Sequence, residues 1–370
     1  MAKPLFRWGI LGTAQIARKA WQAIHLSGNG IVVAVASRNL ARSGEYIAQC
    51  QSHVPFAATP RAVGSYEELI GSPDIDGVYI PLPTGVRKEW VLRAAAAGKH
   101  VVCEKPCATC FADLVEMTDA CRRANVQFMD GVMFVHSRRM NLIRQVLDDG
   151  QTVGRVRRIT SAFTFNAPEE FFSSNIRSRG ELEPDGCVGD LGWYNIQIAL
   201  WTMGWELPAR VSGRLLSERR HPDGAIAVPT EFSGELFFRD GTTSGFYCSF
   251  LNEMQQWAHI SGTRGVIQMP DFVLPVFGSE VTFETGGMAA RAEGCDINVE
   301  PHWRQWPVNE YSNSHATAQE TNLFRDFAEQ AQSGRLNEYW PERALKTQRV
   351  MEVCLASARD GGRVIECPGF

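Results

Sequence analysis

The fold class of this 370-residue chain is decided by one stretch near its start, Arg7-Trp8-Gly9-Ile10-Leu11-Gly12-Thr13-Ala14-Gln15-Ile16-Ala17. Its first five residues have the apolar pattern of a short buried strand, and residues 14–26 have apolar side chains at helical spacing. The turn between them is Gly-x-Ala-x-x-Ala, a variant of the dinucleotide-binding pattern in which Gly12 permits a tight bend. Ala14 takes a position that is normally glycine, where a pyrophosphate approaches the backbone. The stretch therefore predicts a cofactor-binding turn formed by Gly12, Thr13, Ala14, Gln15 and Ile16.

Strand and helix patterns keep alternating up to about residue 130. The run 31–37 (IVVAVAS) is β-branched and almost continuously apolar, as is typical of central parallel strands. Further strands are predicted over 77–80, 100–103 and 127–131, and helices over 40–50, 65–70, 87–97 and 111–124. Repeated strand–helix units predict an α/β domain over residues 1–130 with a doubly wound parallel sheet of the Rossmann type.

The pattern changes after residue 131. Alternating, turn-bounded segments predict strands over 155–165, 231–238, 243–250, 257–262 and 266–269. Helices are predicted over 136–147, 190–203, 318–333 and 341–358. Residues 131–370 are therefore expected to form an α+β domain with a large, open, mixed or antiparallel sheet. Because few helices remain to cover both faces of that sheet, we expect a homodimer.

The composition argues against several classes of protein. Lys+Arg 37 against Asp+Glu 41 gives a net charge of −4, so nucleic acid is not an expected partner. The sequence lacks the run of about 18 apolar residues that a spanning helix needs, so no membrane partner is expected either. Cys103, Cys107 and Cys110 have a spacing compatible with a metal cluster or a redox pair, but no second ligand pair accompanies them. The 10 scattered cysteines instead favour reduced thiols, no metal and a cytoplasmic protein.

The end of the second predicted strand bears on which nicotinamide cofactor is bound. An NAD site usually offers an acid there to the ribose hydroxyls, whereas this chain has Ser37 and Arg38. A carboxylate would repel a 2′-phosphate, while Ser37 can donate a hydrogen bond to it and Arg38 can pair with it. We therefore predict NADP. The alternatives are that NAD is used or that Arg38 simply faces solvent.

Further candidates follow the strands at the carboxyl edge of the predicted sheet, where open α/β sheets bind ligands. Pro81 and Leu82 follow one strand, and Glu104-Lys105-Pro106 follows the next. We expect Pro81, Leu82, Glu104 and Lys105 to contact the cofactor. The charge of Lys105 would also favour an alkoxide forming on a substrate hydroxyl. The alternative is a solvated surface lysine.

A last motif, Asp190-Leu191-Gly192-Trp193-Tyr194, begins a predicted helix. Asp190 and Tyr194 are four residues apart and would share a helix face. A phenol titrates near pH ~10. A neighbouring ammonium such as that of Lys105 would lower the pKa of Tyr194 and make it a usable acid/base. The alternative is that Asp190 only starts the helix and Tyr194 only packs.

Taken in order, these motifs resemble the Gfo/Idh/MocA oxidoreductase family, and most closely its dihydrodiol and D-xylose dehydrogenase branch. Three further segments carry the resemblance: Ser65-Tyr66-Glu67-Glu68-Leu69, Ala97-Gly98-Lys99-His100-Val101 and Asn175-Ile176-Arg177. It implies a Rossmann domain and a second domain whose open sheet often forms a dimer interface. It also implies hydride transfer between a nicotinamide and a sugar or polyol carbon, with Lys105 as the catalytic lysine, Tyr194 as the acid/base and Asp190 as the supporting carboxylate.

The substrate-facing candidates are Arg87, His136, Arg177 and Trp193. Arg87 stands in a loop where similar sequences have Asn and His; it is either a cation that binds an acidic or phosphorylated group or a helix-surface residue. Trp193 either stacks on a sugar or packs in the core. The expected function is an NADP-dependent dehydrogenase or reductase of sugars, polyols or vicinal diols. The rivals are a glycosidase that uses NAD for transient oxidation and a non-catalytic NADP(H)-binding sensor.

Overall fold

Six parallel strands form the first sheet of the computed structural model, which describes residues 4–369. The strands are β1 (Phe6–Leu11), β2 (Gly30–Ala36), β3 (Arg61–Val63), β4 (Gly77–Ile80), β5 (His100–Cys103) and β6 (Phe128–Asp130). They lie side by side in the order β3-β2-β1-β4-β5-β6. This order reverses direction between β1 and β4 and leaves a crevice at the carboxyl ends of those strands, as in doubly wound dinucleotide folds. The predicted α/β class is confirmed.

Helices connect these strands close to the predicted positions. They are α1 (Gln15–Ser27), α2 (Leu40–His53), α3 (Tyr66–Gly71), α4 (Thr84–Ala96) and α5 (Phe111–Arg123). Asn39 and Ser65 start α2 and α3, because their side-chain oxygens accept hydrogen bonds from backbone N–H groups of the first turn. The short strand β3 was not predicted, since three residues are too few to show an alternating pattern.

A second sheet of nine strands follows. Its members are β7 (Val156–Asn166), β8 (Arg210–Arg220), β9 (Ala227–Phe237), β10 (Thr243–Ser249), β11 (Leu251–Gly262), β12 (Val266–Met269), β13 (Glu280–Glu293), β14 (Asp296–Tyr311) and β15 (Ile365–Glu366). The order is β14-β13-β12-β11-β7-β10-β9-β8-β15, and β10 pairs with β7 in parallel while its other partner, β9, is antiparallel. The predicted open, mixed sheet is confirmed.

The remaining α-helices follow residue 131, and three of them cover one face of this second sheet. They are α6 (Arg138–Asp148), α7 (Phe171–Ser174), α8 (Trp193–Thr202), α9 (Gln319–Gln332) and α10 (Tyr339–Arg359), and a π-helical turn, Val188–Gly192, precedes α8. Helices α6, α8 and α10 pack on the sheet, and side chains such as Phe163, Phe246 and Ile260 are buried beneath them. The opposite face, here named the open face, carries alternate residues such as Arg158, Tyr247 and Trp257, which remain partly exposed.

Helix α9 packs on the first sheet although it comes from residues assigned to the second domain. Phe324 and Phe327 lie against Trp8 of β1, with ring centroids 5.2 and 5.3 Å away, and α9 also contacts α1. The core of the first sheet therefore includes side chains from the far end of the chain. The boundary at residue 130 remains a prediction, and it does not account for α9.

Strands β13 and β14 form a long hairpin that sequence patterns did not predict. Their pairing places Met288 opposite Pro301, Ala290 opposite Val299 and Ala292 opposite Ile297. These residues and Trp303 form one exposed row, the apolar stripe. The other side is mostly polar in the outer part of the hairpin, whereas Val281 and Phe283 near its base are buried. Across neighbouring strands, Trp303 pairs with Gly286, Gly286 with Val266, and Val266 with Ser261. Directly paired residues point to the same face of a sheet, and Ser261 lies on the open face. The apolar stripe is therefore a continuation of the open face.

Two further features concern the whole described chain. Within residues 4–369, no helix combines the length and apolarity that crossing a bilayer requires. The 10 cysteines are free thiols, and all but Cys110 and Cys295 are buried. Cys103, Cys107 and Cys110 thus stand beside the β5–α5 connection as thiols.

Candidate active site

The three predicted motifs meet at the carboxyl edge of the first sheet. Lys105 extends from the loop after β5 toward the π-helical turn of the second domain. Its Nζ lies 2.8 Å from Oδ1 of Asp190 and donates a second hydrogen bond, 2.7 Å long, to the Asp190 carbonyl oxygen. The two side chains are only 11% and 16% exposed. The alternative of a solvated surface lysine does not apply, because this ammonium is fixed by an ion pair between the two domains.

A glycine in the π-helical turn permits this approach. A Cβ added to Gly189 would lie 3.1 Å from Cγ of Pro106 and 3.0 Å from Cβ of Asp185. The turn carrying Asp190 therefore packs directly on the loop that carries Lys105. The predicted helix from Asp190 is corrected accordingly: residues 188–192 form the π-helical turn, and the α-helix begins at Trp193. Such π-bulges are frequent at functional sites.

Tyr194 completes the cluster from the first turn of α8. The Lys105 Nζ lies 4.9 Å from the centroid of the Tyr194 ring. Phe163 packs edge-on at 5.5 Å, and Phe134 lies 6.3 Å away. The aromatic neighbours fix the position of the ring beside the ammonium, and they also remove it from water.

The charges in this cluster shift its ionisation equilibria. Burial opposes ionisation of Asp190, but the positive charges of Lys105 and Arg177 outweigh it and hold the Asp190 pKa far below its usual range. Burial likewise opposes the charge of Lys105, yet Asp190 and Tyr194 raise the Lys105 pKa overall. For Tyr194, burial raises the pKa to about 12, and Lys105 only partly offsets it. Lys105 thus lowers the Tyr194 pKa as predicted, but burial, which was not predicted, outweighs this effect.

Arg177 extends the cluster on the far side of Asp190. Its Nε lies 2.9 Å from Oδ2 of Asp190, so the carboxylate is held between two cations. The Arg177 side chain is 43% exposed, which makes it the most accessible member of the group. We name Lys105, Arg177, Asp190 and Tyr194 the cationic cluster.

The predicted dinucleotide turn has the shape that a cofactor requires. Gly12 has φ +109°, and an added Cβ would lie 3.0 Å from Leu82, so the backbone conformation and the close contact both favour glycine there. Ala14 begins α1 in an extended conformation and makes no side-chain cap, which leaves the first N–H groups of this 13-residue helix facing outward beside the partly exposed Thr13, Gln15 and Ile16. Pro81 and Leu82 are buried at the end of β4. These residues fit a dinucleotide pyrophosphate.

The end of β2 gathers more polar groups than the sequence indicated. Ser37 is nearly buried, and its Oγ accepts a hydrogen bond from Asn39 N. Burial raises the pKa of the Tyr66 hydroxyl, whereas the charges of Arg38 and Arg42 and a contact from Arg38 act against that rise. Arg42 and Tyr66 therefore lie near Arg38 and join it as candidates for contact with the cofactor. Arg42 lies in the first turn of α2, immediately after Arg38 and the N-cap Asn39, and this closeness in sequence was the signal available for it.

The structure corrects the prediction that Arg87 faces a substrate. The side chain is buried and donates to the carbonyl oxygens of Leu82, Glu104 and Pro106 and to Oγ1 of Thr84. Oγ1 of Thr84 in turn donates 2.6 Å to Glu183 of the second domain. Arg87 thus ties the loop after β4 to the loop that carries Lys105 and does not extend into open space. Glu183 was missed, since no motif marked it.

Trp193 and His136, two further substrate candidates, are both occupied by contacts within the protein. Trp193 is fully buried, so it packs in the core and does not stack on a sugar. His136 lies with its Nδ1 2.8 Å from Asp326 and its Nε2 3.3 Å from Arg343, and burial lowers its pKa. These contacts belong to a different cavity, between α9 and α10, and Lys105 is not among its lining residues.

Glu104 is the last predicted cofactor residue. It is buried beside Lys105, and its Oε1 accepts a 2.6 Å hydrogen bond from the Tyr79 hydroxyl. Its charge also acts on Tyr194. The site as a whole places an acid/base, Tyr194, with the ammonium of Lys105 and the carboxylate of Asp190 at the edge of a dinucleotide fold. These groups can transfer a proton while a hydride is transferred.

Comparison with protein families agrees with this arrangement. Residues 6–132 match the model of the Gfo/Idh/MocA oxidoreductase family with an NAD-binding Rossmann fold, and residues 140–268 match the model of a GFO/IDH/MocA C-terminal domain. Together the two models cover more than half of the chain.

Individual proteins of known name are also similar. D-xylose 1-dehydrogenase (NADP(+)) 2 of Haloferax volcanii is 32% identical over 289 residues, covering 76% of this chain and 81% of that protein. The trans-1,2-dihydrobenzene-1,2-diol dehydrogenase of Mus musculus is 29% identical, covering 76% and 84%. The 3-ketoreductase KijD10 from Actinomadura kijaniata, solved with NADP and TDP-benzene, shares the fold at 23% identity with a TM-score of 0.77 over 96% of this chain and 98% of that one. The chain is a member of the Gfo/Idh/MocA family of oxidoreductases.

Proposed function

We propose that the protein is an NADP-dependent oxidoreductase that transfers a hydride between the nicotinamide and a carbon of a sugar, polyol or vicinal diol. The observation that carries the proposal is the Lys105–Asp190 ion pair beside Tyr194, at the carboxyl edge of the dinucleotide sheet. The names of the xylose and diol dehydrogenases, both of which act on carbons bearing hydroxyl groups, support this substrate class.

The reaction needs a proton transfer beside the hydride transfer. When bound, the nicotinamide supplies the hydride acceptor or donor. In the oxidative direction Tyr194 takes the proton of the substrate hydroxyl at its phenolic oxygen, and in the reductive direction it returns that proton. Lys105 holds its positive charge where negative charge develops on both oxygens. Asp190 keeps Lys105 charged and in place through the 2.8 Å contact.

Turnover with a panel of compounds tests the proposal. Aldoses, polyols, vicinal diols and dicarbonyls are each offered with NADP(H) and with NAD(H), and nicotinamide absorbance is followed. We expect oxidation or reduction of at least one class with added cofactor. Glycoside cleavage by protein that carries cofactor through purification would favour the glycosidase instead. Cofactor binding without turnover of any compound would favour the sensor.

Cofactor preference provides a separate prediction. We expect the protein to bind NADP(H) more tightly than NAD(H), because Arg38 and Arg42 lie together at an end of β2 that has no carboxylate. Replacing Arg38 by Ala should cost about 1.5–3 kcal/mol, roughly tenfold to a hundredfold in NADP(H) affinity, and leave NAD(H) binding unchanged. Titration calorimetry measures both, with Arg123→Ala, an exposed arginine near the end of α5, as the control. Equal binding of the two cofactors by the parent protein would contradict the prediction.

The proposal includes a homodimer formed through the open face and a cytoplasmic location. The apolar stripe supports the homodimer, since Met288, Val299 and Ile297 are 71%, 57% and 79% exposed in the single chain. The eight buried free thiols are typical of a reducing compartment and support the location.

We expect Val299→Lys to convert the dimer into a monomer in light scattering at micromolar concentration, because a charge would be buried in an apolar contact. Ala289→Lys, one residue from Met288 on the polar side of the hairpin, is the matched control and should remain dimeric. A parent protein that is monomeric at the same concentration would rule the dimer out.

A further inference from the structure

We infer that Arg177 selects a substrate carrying an anionic group, in the first place a carboxylate, next to the carbon that is oxidised or reduced. The inference rests on the proposed function and adds to it the chemical class of the substrate.

Most hydrogen-bond donors of the Arg177 side chain have no partner in the described part of the protein. A guanidinium has five N–H donors in a planar fork. Among residues 4–369, the only ion-pair or hydrogen-bond partner of this side chain is Asp190, which is reached through Nε. The two terminal nitrogens therefore have no partner within the described residues, and the side chain is 43% exposed while that of Lys105 is 11% exposed. An arginine needed only to neutralise Asp190 would not have to leave two accessible nitrogens unpaired.

The nearby acids do not supply the missing partner. The charge of Glu183 acts on Arg177, but its two oxygens accept hydrogen bonds from the N–H and the hydroxyl of Thr84, at 3.0 and 2.6 Å. Asp190 already binds Lys105 through its other oxygen. Both carboxylates are thus occupied by their own partners.

The position of Arg177 links it to the reacting atoms. Arg177 binds Asp190 at 2.9 Å, and Asp190 binds Lys105 at 2.8 Å. Because the Lys105 Nζ lies 4.9 Å from the ring centroid of Tyr194, the proposed acid/base, the guanidinium belongs to the same site as the substrate hydroxyl. A guanidinium edge binds a carboxylate through two parallel hydrogen bonds, and this geometry also orients the bound group. A hydroxyl can accept only a weaker, single contact. The arrangement therefore favours sugar acids over neutral sugars.

Inhibition by two compounds of the same length tests this choice with any substrate that the panel identifies. D-gluconate carries a carboxylate and D-glucitol does not. We expect D-gluconate to compete with the substrate at least tenfold more tightly than D-glucitol. In Arg177→Met this difference should disappear through loss of D-gluconate inhibition, while D-glucitol inhibition changes less than threefold. Arg177→Lys should recover only part of it, because an ammonium lacks the planar fork.

The control is Arg179→Met, because Arg179 is also 43% exposed but pairs with Asp223, at 3.8 Å, and not with Asp190. It should behave like the parent protein. Equal inhibition by both compounds, or an equal loss of both in Arg177→Met, would overturn the inference and leave the proposed function standing. Failure to turn over every compound of the panel and also the matching sugar acids, D-gluconate included, would overturn the proposed function, and the inference with it.

Discussion

Replacing Lys105 by Met should lower kcat by at least about 10²–10⁴-fold, the range that positioned acid/base catalysis typically supplies. Methionine keeps the approximate length of the side chain but removes the ammonium that binds Asp190 and lies over the Tyr194 ring. Loss of this charge withdraws stabilisation from the substrate alkoxide and also raises the Tyr194 pKa further. Steady-state kinetics with saturating cofactor measures the loss.

Lys88→Met is the matched control for that experiment. Lys88 of α4 pairs with Asp113 and Glu116 of α5 and does not belong to the cationic cluster. Lys88→Met should therefore retain the parent kcat. Circular dichroism and NADP titration establish that Lys105→Met is folded and binds cofactor. A folded Lys105→Met protein with a kcat within twofold of the parent would show that the ammonium has no part in the chemistry.

Tyr194→Phe should reduce kcat by a similar factor, about 10²–10⁴-fold, with folding and NADP binding near those of the parent. Phenylalanine preserves the ring that packs on Phe163 and Phe134 and deletes only the oxygen. If more than about half of the parent rate remained while chemistry is rate-limiting, Tyr194 would be a packing residue only. Combined with Lys105→Met, the two losses should be less than additive, since both residues serve one proton transfer.

The pH dependence of Tyr194 has a definite sign. Oxidation uses the deprotonated phenol, and burial holds its pKa at about 12 in the protein alone. The reactive fraction therefore increases as the pH rises toward that value, and the oxidation rate should increase with pH across the neutral and mildly alkaline range. Carbonyl reduction uses the protonated phenol and should be nearly independent of pH over the same range. In Tyr194→Phe the residual oxidation rate should lose this dependence.

Much of this site was predictable because it depends on short-range patterns. Gly12 and Lys105 each follow a strand of the parallel sheet, whose carboxyl edge brings such positions together. Tyr194 was marked by its place four residues after Asp190 at the start of a helix. The roles of Arg87 and Trp193 were not predictable, since an arginine that binds carbonyl oxygens and one that faces a ligand look alike in sequence. The sequence likewise gave no reason to group Glu183 with Thr84, because 99 residues separate them.

The fold was predicted least well where sequence pattern and tertiary context differ. Residues 286–293 (GGMAARAE) contain glycines, alanines and charges of low β-propensity, and pairing with β14 makes them a strand. The effect of burial on the Tyr194 pKa was not predicted for a related reason. The chain order indicates which charges can approach the phenol, but not that Phe134 and Phe163 remove the phenol from water.

The position of α9 has a consequence for the order in which the molecule matures during translation. Trp8 and Phe6 are synthesised first, but the side chains that cover them, Phe324 and Phe327, emerge more than 300 residues later. At ~5–20 residues per second, the interval between completion of β6 and completion of α9 is on the order of 10–40 seconds. Throughout that interval the nascent amino-terminal third of the chain exposes an aromatic surface. A fragment ending at residue 130 would keep that surface permanently and should not accumulate as a soluble cofactor-binding domain, whereas the full-length chain buries it only as synthesis ends.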